Sequence, residues 1–165
     1  LGDVMKESAQ AALSLLKARA RLLGIEQSFF DTSHNHLHVP AGAIPKDAPS
    51  AGVAMFIALT SLFTGRTVGN VLAMTGVISL RGLVLPIGGV KNKVLAAVRA
   101  GITSVMLPER NRKDYEEIPE SAREAVRFVW MSTVDDAMAA ALSPPEEHVP
   151  GPNELSDDQR RLASG

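Results

Sequence analysis

Two kinds of hydrophobic periodicity alternate over the first 142 residues of the chain. Segments with a helical period predict helices, and the second of these is apolar on nearly every side, which is typical of a buried helix. The helices are expected over 3–23, 50–63, 91–100, a short segment that Ser121 caps, and a last segment that runs from Thr133, as its N-cap, to Leu142.

Polar–apolar alternation and short apolar runs predict strands between these helices. The strands are expected over 35–39, 68–75, 77–86, 102–107 and 128–131. Gly76 and Gly82 interrupt the middle of this series, so we expect 68–75 and 77–86 to form a meander or hairpin. Because helices and strands are mixed without a clean βαβ repeat, the order predicts a two-layer α/β or α+β domain.

The character of the sequence changes from Ser143 onward. Prolines and glycines break any regular element there, and acidic residues exceed basic ones. We therefore expect one domain over 1–143 and a flexible C-terminal tail over 144–165. The chain begins with Leu1 rather than Met and a helical pattern follows almost at once, so we expect it to be a piece of a longer polypeptide.

Composition excludes several classes of chemistry. The chain has 17 lysines and arginines against 18 aspartates and glutamates, which argues against a surface that mainly neutralises nucleic-acid phosphates. It contains no cysteine, so thiol nucleophiles, disulfides and zinc–thiolate sites are ruled out. The longest apolar run, 51–59, is far shorter than the ~20 residues that a membrane-spanning helix needs.

Ser50 stands where a stiff loop meets the apolar helix. Pro45 and Pro49 restrict the backbone before it. The start of a helix offers N–H groups without intrahelical partners, and such donors can hold the oxyanion that forms when a hydroxyl attacks a carbonyl. A serine in this position is also typical of a simple helix cap. The local pattern leaves both interpretations open.

A serine nucleophile needs a base, and the sequence offers two kinds. His36 and His38 share one strand face, which is typical of a half-exposed strand, and no third ligand for a metal is evident. Lys91 and Lys93 lie in the first turn of the helix after Gly88 and Gly89. Burial and the helix dipole there would lower a lysine pKa towards the ~7–8 that suits a base. Periodicity alone does not distinguish either lysine from an ordinary surface residue.

A series of short motifs, in the same order over most of the chain, resembles the proteolytic domain of the Lon family of AAA+ serine proteases. The motifs occupy 1–12, 36–40, 45–52, 74–76, 80–82, 85–93 and 96–97. Each motif alone would be weak, but their number and order make the resemblance specific.

The resemblance implies a proteolytic-domain fold related to the scaffold of ribosomal proteins and GHMP kinases. It also implies a Ser–Lys dyad in which Ser50 is the nucleophile and Lys93 the base. Thr75 matches a threonine that hydrogen-bonds the catalytic lysine, and Asp47 matches an acidic residue that gates or positions the site. The chemistry implied needs no metal and no organic cofactor.

A few positions depart from the family pattern. Ala48 stands where most members have glycine, and Val77 and Asn92 stand where glutamate is usual. The loss of carboxylates near Lys93 either removes groups that would favour its charged form, and so favours the neutral amine, or removes contacts that serve subunit packing or regulation.

The resemblance further implies unfolded polypeptide substrates, a homo-hexameric ring, and a bacterial cytoplasmic location rather than the mitochondrial matrix, with no nucleic acid or membrane partner. ATP and Mg²⁺ are implied only for an ATPase module of typical relatives, since these residues contain no P-loop motif. The alternatives are a non-catalytic assembly module and a GHMP-kinase-like phosphate-binding domain. The second is disfavoured because prolines stand before Ser50 where a phosphate loop needs glycines.

Overall fold

The structure of the chain is a computed structural model that describes residues 2–32, 49–69 and 72–145. The expected strand over 35–39, with its histidines, lies outside these residues. So do Asp47, Ala48 and the expected tail beyond Pro145. Among the helices of the described ranges, none is both long and apolar enough to cross a membrane.

Most predicted elements of the described ranges are present with shifted ends, and α2 and the 3₁₀ segment Glu109–Glu117 are additional to them. The helices are α1 (Asp3–Arg19), α2 (Ser28–Thr32), α3 (Gly52–Thr64), α4 (Val90–Arg99), α5 (Glu120–Ala125) and α6 (Val134–Ala141), with 3₁₀ segments at Pro49–Ala51 and Glu109–Glu117. The strands are β1 (Leu72–Met74), β2 (Val77–Ile78), β3 (Val84–Leu85), β4 (Ser104–Pro108) and β5 (Arg127–Met131).

Three strands form a parallel sheet in the order β1–β4–β5, in which Ala73 pairs with Val105 and Val105 pairs with Phe128. Helix α4 lies in the crossover between β1 and β4, and α5 in the crossover between β4 and β5. The segment β4–α5–β5 is therefore a βαβ unit that the sequence pattern did not predict, whereas both the β2–β3 segment and α4 lie between β1 and β4.

Strands β2 and β3 form a separate antiparallel pair, with Val77 opposite Leu85. The expected hairpin thus lies inside the segment predicted as one strand over 77–86, and not between 68–75 and 77–86. Gly82 lies in the turn of this hairpin with φ 85°, a left-handed conformation that glycine adopts without strain.

Helices cover both faces of the parallel sheet. Val105 and Leu107 of β4 belong to one apolar cluster with buried residues of α4 and α5. Met106, between them, belongs to a second cluster with residues of α1, α3 and α6. A parallel strand that is buried on both faces is expected to be apolar at successive positions, as β4 is. The expected α/β class is confirmed, but helices lie on both faces of the parallel sheet in the described residues, so the expected two layers are three.

Two predicted helix caps had different outcomes. The Thr133 side chain accepts a hydrogen bond from the Asp136 N–H, and the Asp136 carboxylate accepts one from the Thr133 N–H, so the predicted cap of α6 is confirmed as a capping box. Helix α5, however, begins directly after Pro119, and Ser121 lies inside it rather than capping it. Proline fixes its own φ near a helical value, which suits the start of a helix.

Helix α1 is shorter than the hydrophobic period predicts. It ends at Arg19, and the chain turns through residues 20–24 to Gly24, whose φ is 71°. In that turn Leu22 is 90% exposed. The apolar residues that predicted a helix as far as Leu23 therefore do not all lie on one buried helix face.

Candidate active site

Three segments bring the candidate residues together. Ser50 lies in the 3₁₀ turn that leads into α3, Thr75 directly follows β1, and Lys93 lies in the first turn of α4. Helix α3 is anchored in the core, since the side chains of Phe56 and Ile57 are 0% and 1% exposed. The prediction of a buried helix after Ser50 is thus confirmed.

The backbone around Ser50 is tied to the segment that carries Thr75. The N–H of Gly76 donates to the carbonyl oxygen of Ser50 at 2.8 Å, and the N–H of Val53 donates to the carbonyl oxygen of Gly76 at 3.1 Å. A Cβ at position 76 would lie 2.7 Å from Cγ1 of Val84 in β3, so any larger residue there would force the Val84 side chain or the backbone to shift. The sequence pattern indicates only that Gly76 separates two strands.

The side chains of Ser50, Thr75 and Lys93 form one hydrogen-bonded group. The Nζ of Lys93 donates to the Ser50 Oγ at 2.9 Å and to the Thr75 Oγ1 at 3.2 Å. The Thr75 hydroxyl in turn donates to the Ser50 carbonyl oxygen at 3.4 Å. Thr75 therefore contacts both other residues and lies where it can orient the amine towards the serine hydroxyl.

The alternative role of Ser50 as a helix cap does not describe this site. The N-cap of α3 is Ala51, and no side chain caps that helix end. The Ser50 hydroxyl instead accepts a hydrogen bond from an amine on another helix.

The Lys93 amine lies in an environment that favours its neutral form. Its side chain is half-buried, and burial lowers the pKa of Lys93 below the ordinary value of 10.5. The adjoining pocket has a volume of about 340 Å³ and is lined by Ser50, Ala51, Ala54, Ala73, Met74, Thr75, Lys93, Ala96 and Val105. Because most of these side chains are small and apolar, the pocket has room for an apolar side chain beside the serine.

Lys91 lies elsewhere. It is exposed and lines a different cavity of about 490 Å³, together with Gly88, Gly89 and Lys113. The structure therefore brings Lys93, and not Lys91, to Ser50, a choice that periodicity had left open.

Asp47 and the histidines lie outside the described residues, so the role assigned to Asp47 stays a prediction. Within the described ranges, no group of three or more His, Asp or Glu side chains is arranged to hold a metal ion.

Fold and site together define an α/β domain that holds a hydrogen-bonded serine–lysine pair beside an apolar pocket. Residues 1–144 match the family model of the Lon protease (S16) C-terminal proteolytic domain, and the chain belongs to this family. The resemblance noted from the motifs is thereby confirmed.

Individual relatives agree with the family match. The chain is 66% identical over 142 residues to a Lon protease of Methylocella silvestris and 62% identical over 138 residues to one of Paraburkholderia phytofirmans. It is 56% identical over 151 residues to Lon protease 2 of Myxococcus xanthus. These matches cover 84–92% of this chain but only 17–18% of the length of the relatives.

Proposed function

We propose that this chain is a serine endopeptidase domain that hydrolyses peptide bonds of unfolded or damaged proteins through a dyad of Ser50 and Lys93. The observation that carries the proposal is the 2.9 Å hydrogen bond between the Lys93 Nζ and the Ser50 Oγ. Membership of the proteolytic-domain family supports it.

The proposed reaction is acyl transfer. Neutral Lys93 accepts the hydroxyl proton as the Ser50 Oγ attacks the scissile carbonyl carbon, which gives a tetrahedral oxyanion and an ammonium group. Protonated Lys93 then gives the proton to the leaving amine as the C–N bond breaks and the acyl-enzyme forms. A water molecule, deprotonated by the same amine, hydrolyses the ester and releases the second product. These steps use no metal and no organic cofactor.

Lowering the pKa of Lys93 makes this sequence possible near neutral pH. An amine with a pKa of 10.5 would be almost entirely protonated there and could not accept a proton. Burial shifts the balance towards the neutral amine, and the Thr75 hydroxyl accepts one of its N–H bonds, which leaves the lone pair available to the serine.

Backbone N–H groups supply the proposed oxyanion site. The N–H of Val53 is already bonded to the Gly76 carbonyl, so it is not available. We propose that other backbone N–H groups near the start of α3 hold the oxyanion.

The wider assembly is also part of the proposal. Because the chain spans under a fifth of its relatives' length, ATP-driven delivery of substrates, a homo-hexameric ring and a bacterial cytoplasmic location are proposed for the whole protein and not for this domain alone. ATP and Mg²⁺ would serve the ATPase module, with no cofactor in this domain.

A fluorophosphonate probe tests the proposal directly. We expect the probe to modify Ser50, as read by peptide mass spectrometry, and we expect Ser50→Ala to abolish both labelling and peptide hydrolysis with an unchanged circular-dichroism spectrum. An unlabelled Ser50 would overturn the proposal. ATP turnover by this chain would instead favour the kinase-like alternative.

A further inference from the structure

A buried side-chain amide is hydrogen-bonded to the backbone just before the helix that carries Lys93. Asn111 is 1% exposed, and its Oδ1 accepts a hydrogen bond from the Ile87 N–H at 2.9 Å while its Nδ2 donates to the Ile87 carbonyl oxygen at 2.8 Å. The same Nδ2 donates to Oδ2 of Asp114 at 2.8 Å, which fixes the orientation of the amide. Both peptide groups that flank Ile87 are thus held by one side chain.

The segment between Ile87 and Lys93 has few packing contacts at its two glycines. A Cβ at Gly88 or Gly89 would meet no atom within 4 Å, and Gly89 has φ 69°. Glycine has the largest conformational freedom of any residue, so the backbone of Gly88 and Gly89 would adopt several conformations without a restraint from another part of the fold. The N–H of Lys93 donates to the Gly89 carbonyl oxygen at 3.1 Å, so the position of Gly89 determines the position of the first turn of α4.

The contact between lysine and serine is sensitive to that position. The Lys93 Nζ lies 2.9 Å from the Ser50 Oγ, and a displacement of less than about 1 Å lengthens such a contact beyond hydrogen-bond distance. Ser50 is held separately, because its carbonyl oxygen accepts a hydrogen bond from the Gly76 N–H, so Ser50 does not follow a shift of α4.

We propose that Asn111 is a positioning residue for the peptidase reaction: by clamping both backbone groups of Ile87, it fixes the start of α4 and keeps the Lys93 amine in contact with Ser50. This inference rests on the proposed function only for its effect on catalysis, since the position and titration of Lys93 can be measured without any turnover.

The environment of the Lys93 amine determines in which direction its pKa should change when the contacts of Asn111 are lost. Among the described residues, the hydroxyls of Ser50 and Thr75 are hydrogen-bonded to the Lys93 amine, and the apolar Val105 of β4 lines the same pocket. Burial lowers the pKa of Lys93. If the clamp is lost and α4 moves, the amine gains access to water, and its pKa rises towards the ordinary value.

The test combines two readouts on the wild-type chain and on Asn111→Ala. Competitive labelling of lysines with acetic anhydride, followed by mass spectrometry, gives the pH midpoint of Lys93 itself, with the exposed Lys91 of the same helix turn as the internal reference. The rate of fluorophosphonate labelling of Ser50 against pH, and kcat and KM for a fluorogenic peptide, report on catalysis.

Two further variants separate positioning from stability. Asp114→Ala removes only the orienting contact of the Asn111 amide, at a half-buried position, and serves if Asn111→Ala does not fold. Val134→Ala removes buried methyl groups from the other apolar cluster, away from α4, and gives a destabilised chain with an intact clamp.

We expect the Lys93 midpoint to rise in Asn111→Ala, and in Asp114→Ala to a smaller degree. Labelling of Ser50 at pH 8 should fall about 10- to 100-fold in Asn111→Ala, with kcat lowered and KM little changed. Val134→Ala should keep the wild-type midpoint. An unchanged midpoint and pH profile in both Asn111→Ala and Asp114→Ala would overturn the inference while leaving the dyad in place. A wild-type Ser50 that resists the probe would instead overturn the proposed function, and the Lys93 midpoint would still decide the positioning role.

Discussion

Replacing Lys93 by methionine tests the dyad most sharply. The substitution removes the amine that contacts Ser50 and Thr75 and keeps an unbranched side chain of similar length in the same half-buried position. Because burial disfavours the charged amine, the methionine variant should be at least as stable as the wild type at neutral pH. A loss of activity would therefore report on chemistry rather than on folding.

The contacts set the size of the expected loss. Within the described residues, Lys93 is the one titratable side chain that is hydrogen-bonded to the Ser50 hydroxyl, and none of the other described bases contacts that hydroxyl. A positioned general base typically accelerates a reaction by about 10²–10⁴-fold. This factor corresponds to about 3–5 kcal/mol of transition-state stabilisation. We expect kcat/KM to fall by about 10³-fold.

The assay measures hydrolysis of a fluorogenic peptide and fluorophosphonate labelling of Ser50 on the same samples. Lys91→Met is the matched control, because Lys91 lies in the same helix turn but is exposed and lines a different cavity. This control should keep most of the wild-type rate. Thermal melts of both variants check that the fold is retained.

The reasoning would be refuted if Lys93→Met kept more than about a tenth of the wild-type kcat/KM while Lys91→Met lost it. Comparable losses in both variants would also contradict it, since only one of the two amines contacts Ser50.

The remaining predictions concern the same site. Thr75→Val keeps the side-chain shape but removes the oxygen that accepts a hydrogen bond from Lys93. The loss of one hydrogen bond worth about 1.4 kcal/mol should lower kcat about tenfold. An unchanged kcat would exclude an orienting role for Thr75. Gly76→Ala places a Cβ 2.7 Å from a Val84 methyl, so the free energy of unfolding of this variant should fall by about 1–3 kcal/mol in urea melts. An unfolding midpoint equal to that of the wild type would contradict the close contact between Gly76 and Val84. The lowered pKa of Lys93 means that, above this pKa and up to 10.5, the unfolded chain binds more protons than the folded one. The unfolding free energy of the wild type should therefore rise with pH relative to Lys93→Met across that window and stay at a constant difference below it; a relative decrease would contradict the burial of the amine.

The candidate site could be identified from sequence because its residues lie in short motifs. Ser50, Thr75 and Lys93 each stand in a local pattern that resembles the Lon proteolytic domain, and the structure places all three within hydrogen-bond distance. Periodicity without that resemblance did not choose between Lys91 and Lys93. Both lie in the first turn of α4, and which of them faces Ser50 depends on the rotation of that helix against the sheet.

The main error in the predicted strand pairing concerns a partner that is distant in the chain. The segment predicted over 68–75 pairs with β4, about thirty residues later, and not with its neighbour. Its short strand, β1, carries no pattern that identifies this partner. Asn111 was likewise missed, because its two bonds to Ile87 become visible only when the 3₁₀ segment folds back against the start of α4.

Local chemistry was determined by the sequence alone. The apolar run after Ser50 had to be buried, the Thr133 cap needed only its own Asp136, and the absence of cysteine excluded a thiol nucleophile. Strand pairing, the third layer and the contact of Lys93 with Ser50 were decided by the tertiary structure. These features depend on how separate elements are oriented against one another, and that orientation follows from contacts summed over the whole core.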